Sequence, residues 1–327
     1  MQDMKAYLLS VYVHPNAVLF KSAFQFASYG GFNQFWRVNS ADERLTKVDF
    51  TNLDKILYPK LQIKKAQVIE HYIRFAPRML DLLKNRSIVL TRFPNGVREK
   101  GFYEKDAPEG TPSWVKTAAI YSETAKRIVN YIVVNDLDTL VWLGNLAALE
   151  IHMPFSRLDS REKPDFVFFD IDPEPPATFD QSIDVALSVK EDLDGLGLKS
   201  FVKTSGKKGL HIVIPIARGP SFSQTRAFAH RIGQHIAGET EMVVSEFSDT
   251  KKPGKVFIDY LQNSHGRTMI CPHSLRAVEE ATVSCPLEWT EVKKGLKPTQ
   301  FNLLTMVKRK SDPWKNILEK PQELEVK

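Results

Sequence analysis

The run Phe166-Val167-Phe168-Phe169-Asp170-Ile171-Asp172-Pro173 constrains this chain more than any other. Aromatic and β-branched residues fill it, and Pro164 and Pro173 bound it, so it predicts a strand buried on both faces. Residues two apart on a strand point to the same side, which puts the Asp170 and Asp172 carboxylates on one face. Two like charges at the end of a buried strand are costly unless something neutralises them. A divalent cation does so, and hard oxygen ligands suit Mg²⁺ or Mn²⁺. A solvated strand end, with Pro173 opening a turn, accounts for the same residues, and Asp-x-Asp alone does not separate the two readings.

A third carboxylate lies downstream. Lys255-Val256-Phe257-Ile258-Asp259-Tyr260-Leu261 again sets an aspartate in an apolar β run. A pair of metal ions ~3.5–4 Å apart needs about three carboxylates, because the reacting oxygens complete each shell. Between the two runs stands Thr204-Ser205-Gly206-Lys207-Lys208-Gly209-Leu210-His211. It predicts a tight hairpin whose glycines leave backbone N–H groups beside a hydroxyl and two cations, which suits a triphosphate. The P-loop order Gly-x-x-x-x-Gly-Lys-Ser/Thr is absent, and an ordinary polar turn fits the same residues.

The rest of the chain supplies the frame. Apolar spacing predicts a helix over Lys64–Leu83 with Pro77 as a kink, and another over Leu140–His152 ending before Pro154. Arg86–Lys105 reads as strand, turn, strand around Pro94-Asn95-Gly96. In the second half a helix with Ile183 to Leu193, strands at Phe201–Val202 and His211–Ile216, and a helix over Ser223–Ala237 indicate an α+β domain on a largely antiparallel sheet. Residues 1–45 stand apart, with Phe20 to Trp36 dense in aromatic residues and no chemistry visible. The last ~20 residues read as a charged, loosely held tail.

Composition excludes several classes. The chain has 327 residues, enough for one large or two smaller compact units, and two cysteines cannot frame a disulfide miniprotein. No apolar run reaches the ~18 residues of a membrane span, and the start lacks a basic signal region, so a soluble intracellular chain is expected. Charge is uneven: residues 46–130 hold 16 Lys/Arg against 9 Asp/Glu, while the whole chain nets +6. Such a basic half suits a polyanion, although solvated surface lysines give the same balance.

Asp-x-Asp on a hydrophobic strand, then Ser-Gly-x-x-Gly-x-His, then a hydrophobic strand with Asp is an ordered set that resembles the archaeo-eukaryotic primase superfamily. The nearer likeness is to the polymerase domain of bacterial ligase D, which serves non-homologous end joining. Supporting runs are Leu53-Asp54-Lys55-Ile56-Leu57-Tyr58-Pro59, Arg92-Phe93-Pro94-Asn95-Gly96-Val97, Ala147-Ala148-Leu149-Glu150-Ile151-His152, Asp259-Tyr260-Leu261-Gln262-Asn263 and Ser274-Leu275-Arg276. The likeness covers about residues 46–320.

The resemblance implies an α+β, primase-like catalytic core with a mixed, largely antiparallel sheet and flanking helices, plus an N-terminal α/β part. It divides the chain into an N-terminal extension (1–45), a primase-polymerase domain (46–320) and a tail (321–327). Within the domain, 46–160 is the basic DNA-binding part and 161–320 the catalytic part. Asp170, Asp172 and Asp259 match the family's metal ligands, for two Mn²⁺ or Mg²⁺ ions. His152, Ser205, Lys208, His211 and Arg276 match residues that hold the incoming nucleotide, with Gln262 nearby. Lys252, counted with the nucleotide-binding residues, stands where an arginine is expected in a mobile loop over Glu246–Gly254, keeping the charge but not bidentate phosphate binding. Asn52, Lys55 and Lys65 match the pocket for the 5′-phosphate of a downstream strand, and Arg92, Phe102 and Tyr103 match residues contacting DNA beside it. Tyr121 to Asn135 matches a surface loop that brings two ends together.

The activity so implied is template-directed nucleotidyl transfer from NTPs or dNTPs at gaps and double-strand breaks, often with ribonucleotides. No Lys-x-Asp-Gly adenylation motif is present, so a stand-alone polymerase with a separate DNA ligase and Ku, cytoplasmic and near the nucleoid, is the expectation, with an end-bridging dimer on DNA and no membrane. A general primase-polymerase, a non-catalytic end-binding adaptor and a Mn²⁺ glycosyltransferase stay open. So does a zinc module drawn from His265, Cys271, His273 and Cys285.

Overall fold

The computed structural model describes residues 47–123, 125–249 and 252–325. The aromatic stretch from Phe20 to Trp36 lies outside them. The chain packs as two units, Met1–Asn52 and Leu53–Lys327, and the sites below belong to the second.

Its described elements, in chain order, are β1 (Ile56–Tyr58), β2 (Ile63–Lys64), α1 (Lys65–Leu83), β3 (Val89–Arg92), β4 (Phe102–Glu104), β5 (Thr117–Ser122), β6 (Arg127–Ile132), α2 (Leu137–Asn145), β7 (Ala148–Pro154) and β8 (Phe166–Pro173). There follow α3 (Phe179–Gly195), β9 (Phe201–Thr204), β10 (Leu210–Pro215), α4 (Phe222–Glu239), β11 (Val243–Val244), β12 (Val256–Asp259), β13 (Thr268–Ile270), β14 (Pro286–Leu287) and α5 (Leu303–Met306). Two sheets carry the molecule. One has the order β11-β12-β8-β10-β9-β14 and the other β13-β7-β3-β4. Every named pair is antiparallel except β11 with β12, so the fold is the mixed, largely antiparallel α+β core that the sequence implies.

β8 runs through the middle of the larger sheet, which is why Phe166, Val167, Phe168, Phe169 and Ile171 are all within 1% of full burial. Helices α3 and α4 pack on this strand. Each starts with a reciprocal capping box, Thr178 with Gln181 and Ser221 with Gln224, which satisfies free N–H groups of the first turn. Arg86, fully buried, ties the end of α1 to the start of β8 by forking onto Asp165, with Nη1 donating to Oδ1 at 2.9 Å.

Four expectations change. The helix expected over Leu140–His152 is α2 followed by β7: Gly144 and Asn145 end the helix, and Ala147 reverses the chain at φ +56°. β7 is buried on both faces, so its apolar run lacks the alternation that marks a strand. The strand expected to Leu261 stops at Asp259, whose carboxylate accepts the Leu261 N–H and turns the chain into a 3-10 turn, Tyr260–Asn263. Tyr121–Asn135, expected as a loop, is largely strand β6 paired to β5. The expected loose tail is anchored as far as the description runs: Trp314 and Leu324 are buried, and Gln322 bridges to Lys199 and Pro215. The division at 160/161 is also crossed, because β13 supplies the edge strand of the sheet that contains β7. No helix among the described residues is long and apolar enough to cross a membrane.

Candidate active site

Strand register builds the site. Asp259 on β12 pairs with Asp170 on β8, Asp170 with His211 on β10, and His211 with Lys203 on β9. Directly paired residues share a face, so Asp259, Asp170, His211 and Lys203 form one polar row across four strands, with Asp172 one step along β8. A cavity of about 560 Å³ opens on this face. Asp170, Asp172, His211, Ser205, Lys208, His152, Gln262 and Arg276 all line it. Lys207 of the hairpin motif joins them, with Glu280, Thr282 and Thr299, which motif reading did not single out.

The hairpin between β9 and β10 closes tightly over β8. A Cβ at Gly209 would stand 2.1 Å from the Ile171 carbonyl oxygen, so only glycine fits there. Gly206, at φ +77°, leaves no room beside Arg276, where a Cβ would meet Cγ at 2.6 Å. The loop's N–H groups are not all open as expected. Those of Lys207 and Gly209 donate to the Ser205 hydroxyl at 3.2 and 3.1 Å.

Glu150 on β7, buried and unforeseen in the sequence, organises the opposite wall. Its carboxylate accepts Arg276 Nε and the Ala277 N–H, each at 3.1 Å, and pairs with Lys207 at 3.0 Å. Burial opposes its ionisation, but the His152 ring, Arg276 and Lys207 outweigh that and hold it well below the usual carboxylate range. Arg276 Nη1 also donates to the Ser205 carbonyl at 2.9 Å, linking this wall to the hairpin. His152 Nε2 is buried without a hydrogen bond, 3.4 Å from Glu150.

The three aspartates share one electrostatic problem. Burial pushes Asp170 from 3.8 to about 6, against the pull of Lys203, Arg276 and Lys208. Burial and then Asp170 itself push Asp172 to about 6, and burial raises Asp259. Their present partners are modest: His211 Nε2 at 3.2 Å from Asp170, Lys208 Nζ at 3.5 Å from Asp172, Gln262 and the Leu261 N–H on Asp259. Among the described residues no three His, Cys, Asp or Glu side chains are gathered closely enough to enclose an ion as they stand. Three raised, oxygen-only carboxylates within one row nonetheless fit a hard divalent cation, which would relieve the repulsion.

The residues expected at a DNA end lie elsewhere. Lys55 Nζ donates to Asn95 Oδ1 and Lys65 Nζ to the Asn145 carbonyl, both at 2.8 Å. Burial, with Lys55 close by, lowers Lys65 to about 8. Asn52 belongs to the first unit, at φ +50°. Phe102 and Tyr103 on β4 are 57% and 61% exposed, and Tyr103 meets His152 edge-on at 6.5 Å, joining this surface to the cavity. Arg92 is already held: its Nη1 donates to both Glu104 carboxylate oxygens, at 2.9 and 3.1 Å. Lys252 pairs with Asp249 at 2.8 Å and is not among the cavity's lining residues. The zinc set does not assemble. Cys271 and Cys285 are buried thiols, His273 stacks on Phe75 at 4.6 Å, and His265 faces Glu162.

The family profile for the LigD primase-polymerase domain matches residues 64–314. The bifunctional non-homologous end joining protein LigD of Bacillus subtilis is 33% identical over 282 residues, 85% of this chain and 45% of that protein. The multifunctional LigD of Mycolicibacterium smegmatis is 32% identical over 253 residues, 76% of this chain and 33% of that protein. The chain thus spans less than half the length of these curated relatives. A solved structure, the polymerase domain of Mycobacterium tuberculosis ligase D in complex with DNA, matches with a TM-score of 0.78 and 30% identity, over 84% of this chain and 99% of that one.

Proposed function

The chain belongs to the LigD primase-polymerase domain family, a family of metal-dependent nucleotidyltransferases, and on that footing we propose that it fills gaps and extends ends at DNA double-strand breaks in non-homologous end joining. The observation that carries the reading is the register row Asp259–Asp170–His211 beside the Ser205–Gly209 hairpin.

In this reading the triphosphate of the incoming nucleotide occupies the cavity. Lys208, Arg276 and the Ser205 hydroxyl meet its phosphates, with His211 and His152 as further partners and Gln262 steadying Asp259. The primer's 3′-hydroxyl attacks the α-phosphorus, the new O–P bond forms, and pyrophosphate leaves. Asp170, Asp172 and Asp259 would hold two Mn²⁺ or Mg²⁺ ions, which supply a lowered hydroxyl pKa and neutralise the leaving phosphates. Glu150 holds Arg276 and Lys207 in place, so positioning costs little at the moment of reaction.

Downstream DNA lies over β4, with Phe102 and Tyr103 stacking on bases and Lys55 and Lys65 taking the 5′-phosphate. Arg92 reaches a phosphate only by leaving Glu104. The β5–β6 hairpin meets the DNA outside the cavity, in an end-bridging dimer, and Lys252 would reach the nucleotide only by leaving Asp249. DNA ligase and Ku activities act with it, beside the nucleoid in the cytoplasm.

Primer extension on a gapped duplex, with and without a 5′-phosphate on the downstream strand, tests this. With Mn²⁺, extension should need the carboxylates lost in Asp170→Ala/Asp172→Ala, improve with the phosphate and favour rNTPs over dNTPs. Extension indifferent to the phosphate points to a general primase-polymerase. DNA binding with no extension leaves an adaptor.

A further inference from the structure

Lys203 has no part in the reading so far, yet it is the most deeply buried cation of the site. It is wholly inaccessible, on β9, at the end of the row that crosses to the three aspartates. Its Nζ is 2.6 Å from Ser284 Oγ and 2.7 Å from His211 Nδ1. Ser284 Oγ donates onward to the Thr204 carbonyl at 3.0 Å, so it must accept from Lys203. On the other side of the imidazole, His211 Nε2 lies 3.2 Å from Asp170 Oδ1.

Both neighbours bear on the same proton. Burial pulls the Lys203 pKa down, but as ammonium or as amine Nζ keeps a further N–H beyond the one given to Ser284 Oγ, and Nδ1 accepts it through its lone pair. A carboxylate only accepts, so Nε2 beside it must carry hydrogen. One neutral tautomer meets both demands, and a second proton on Nδ1 would set two donors against each other.

We propose that Lys203 is a positioning residue that fixes His211 as the Nε2–H tautomer, making His211 a permanent hydrogen-bond donor into the cavity. His211 then serves neither as a cation ligand through Nε2 nor as a base for the 3′-hydroxyl. When a nucleotide binds, a phosphate oxygen replaces the Asp170 oxygen as acceptor. That last step rests on the polymerase reading; the tautomer does not.

The test is long-range ¹H–¹⁵N correlation on the ¹⁵N-labelled full chain, free of metal and nucleotide, with His211 assigned by its loss in His211→Gln. Wild type should show the Nε2–H pattern. Lys203→Met, of similar length but without a donor, should give a mixed pattern and bind a non-hydrolysable nucleoside triphosphate about tenfold more weakly, the worth of one charge-assisted hydrogen bond. Ser284→Ala keeps the lysine, removes its second acceptor, and should shift both readouts in the same direction by less; it decides the matter if Lys203→Met does not fold. An Nδ1–H or doubly protonated His211 in wild type overturns the proposal. So does a folded Lys203→Met that keeps the wild-type pattern. If wild type shows the Nε2–H pattern yet binds no triphosphate, the polymerase reading fails while the tautomer assignment stands.

Discussion

Removing one charge from the aspartate row should stabilise the metal-free protein while abolishing its activity. Asp170 is raised from 3.8 to about 6 by burial, and its side chain is only 19% exposed, so solvent relieves little of the cost. A shift of that size corresponds to about 3 kcal/mol at neutral pH. The folded acid holds its proton more tightly than the unfolded one. The cost is therefore absent below about pH 4, grows between about 4 and 6, and is complete above 6. Asp170→Asn keeps an acceptor for His211 and also relieves Asp172, which Asp170 pushes upward. In urea unfolding with EDTA at about pH 7.5, the variant should exceed wild type by about 2–4 kcal/mol, and the gain should fade toward pH 4. Added Mn²⁺ should stabilise wild type more than the variant. A variant no more stable than wild type at pH 7.5, or a gain of equal size at pH 4, would refute the claim that the buried Asp170 charge costs the metal-free fold stability.

Three further outcomes are expected. Arg86→Met leaves buried Asp165 with Arg157, at 3.3 Å, as its remaining cation and should cost about 3 kcal/mol in urea unfolding. Because Lys65 sits at about 8, the preference for a 5′-phosphate in DNA binding should weaken from pH 7 to 9 in wild type, hold in Lys65→Arg, and be missing at all pH in Lys65→Ala. Phe102→Ala and Tyr103→Ala should each weaken binding to gapped DNA by about 1–3 kcal/mol with an unchanged melting temperature, since both rings are exposed.

The centre of the fold was legible because its chemistry is local. An apolar strand ending in alternate aspartates, and a hairpin with Gly209 where β8 leaves no room for a Cβ and Gly206 where Arg276 leaves none, can be read residue by residue. What escaped was satisfied at a distance. Lys203 and Glu150 look like ordinary charges in sequence, and their partners Ser284 and Arg276 lie 81 and 126 residues away. The sequence puts His152 on a helix because β7 is buried on both faces and shows no alternation. Arg92 read as a free cation because its pairing with Glu104 depends on the β3–β4 register, which brings Leu90 opposite Glu104.

The central claim is that the aspartate row and its cavity form a template-directed nucleotidyl-transfer centre. Its most direct test is single-nucleotide incorporation on one primer annealed to four templates that differ only in the first templating base, with Mn²⁺ and Asp259→Asn as the control. The account predicts that the incorporated base follows the template and that incorporation disappears in the variant. Incorporation that ignores the template base, or survives the loss of the Asp259 charge, would contradict it.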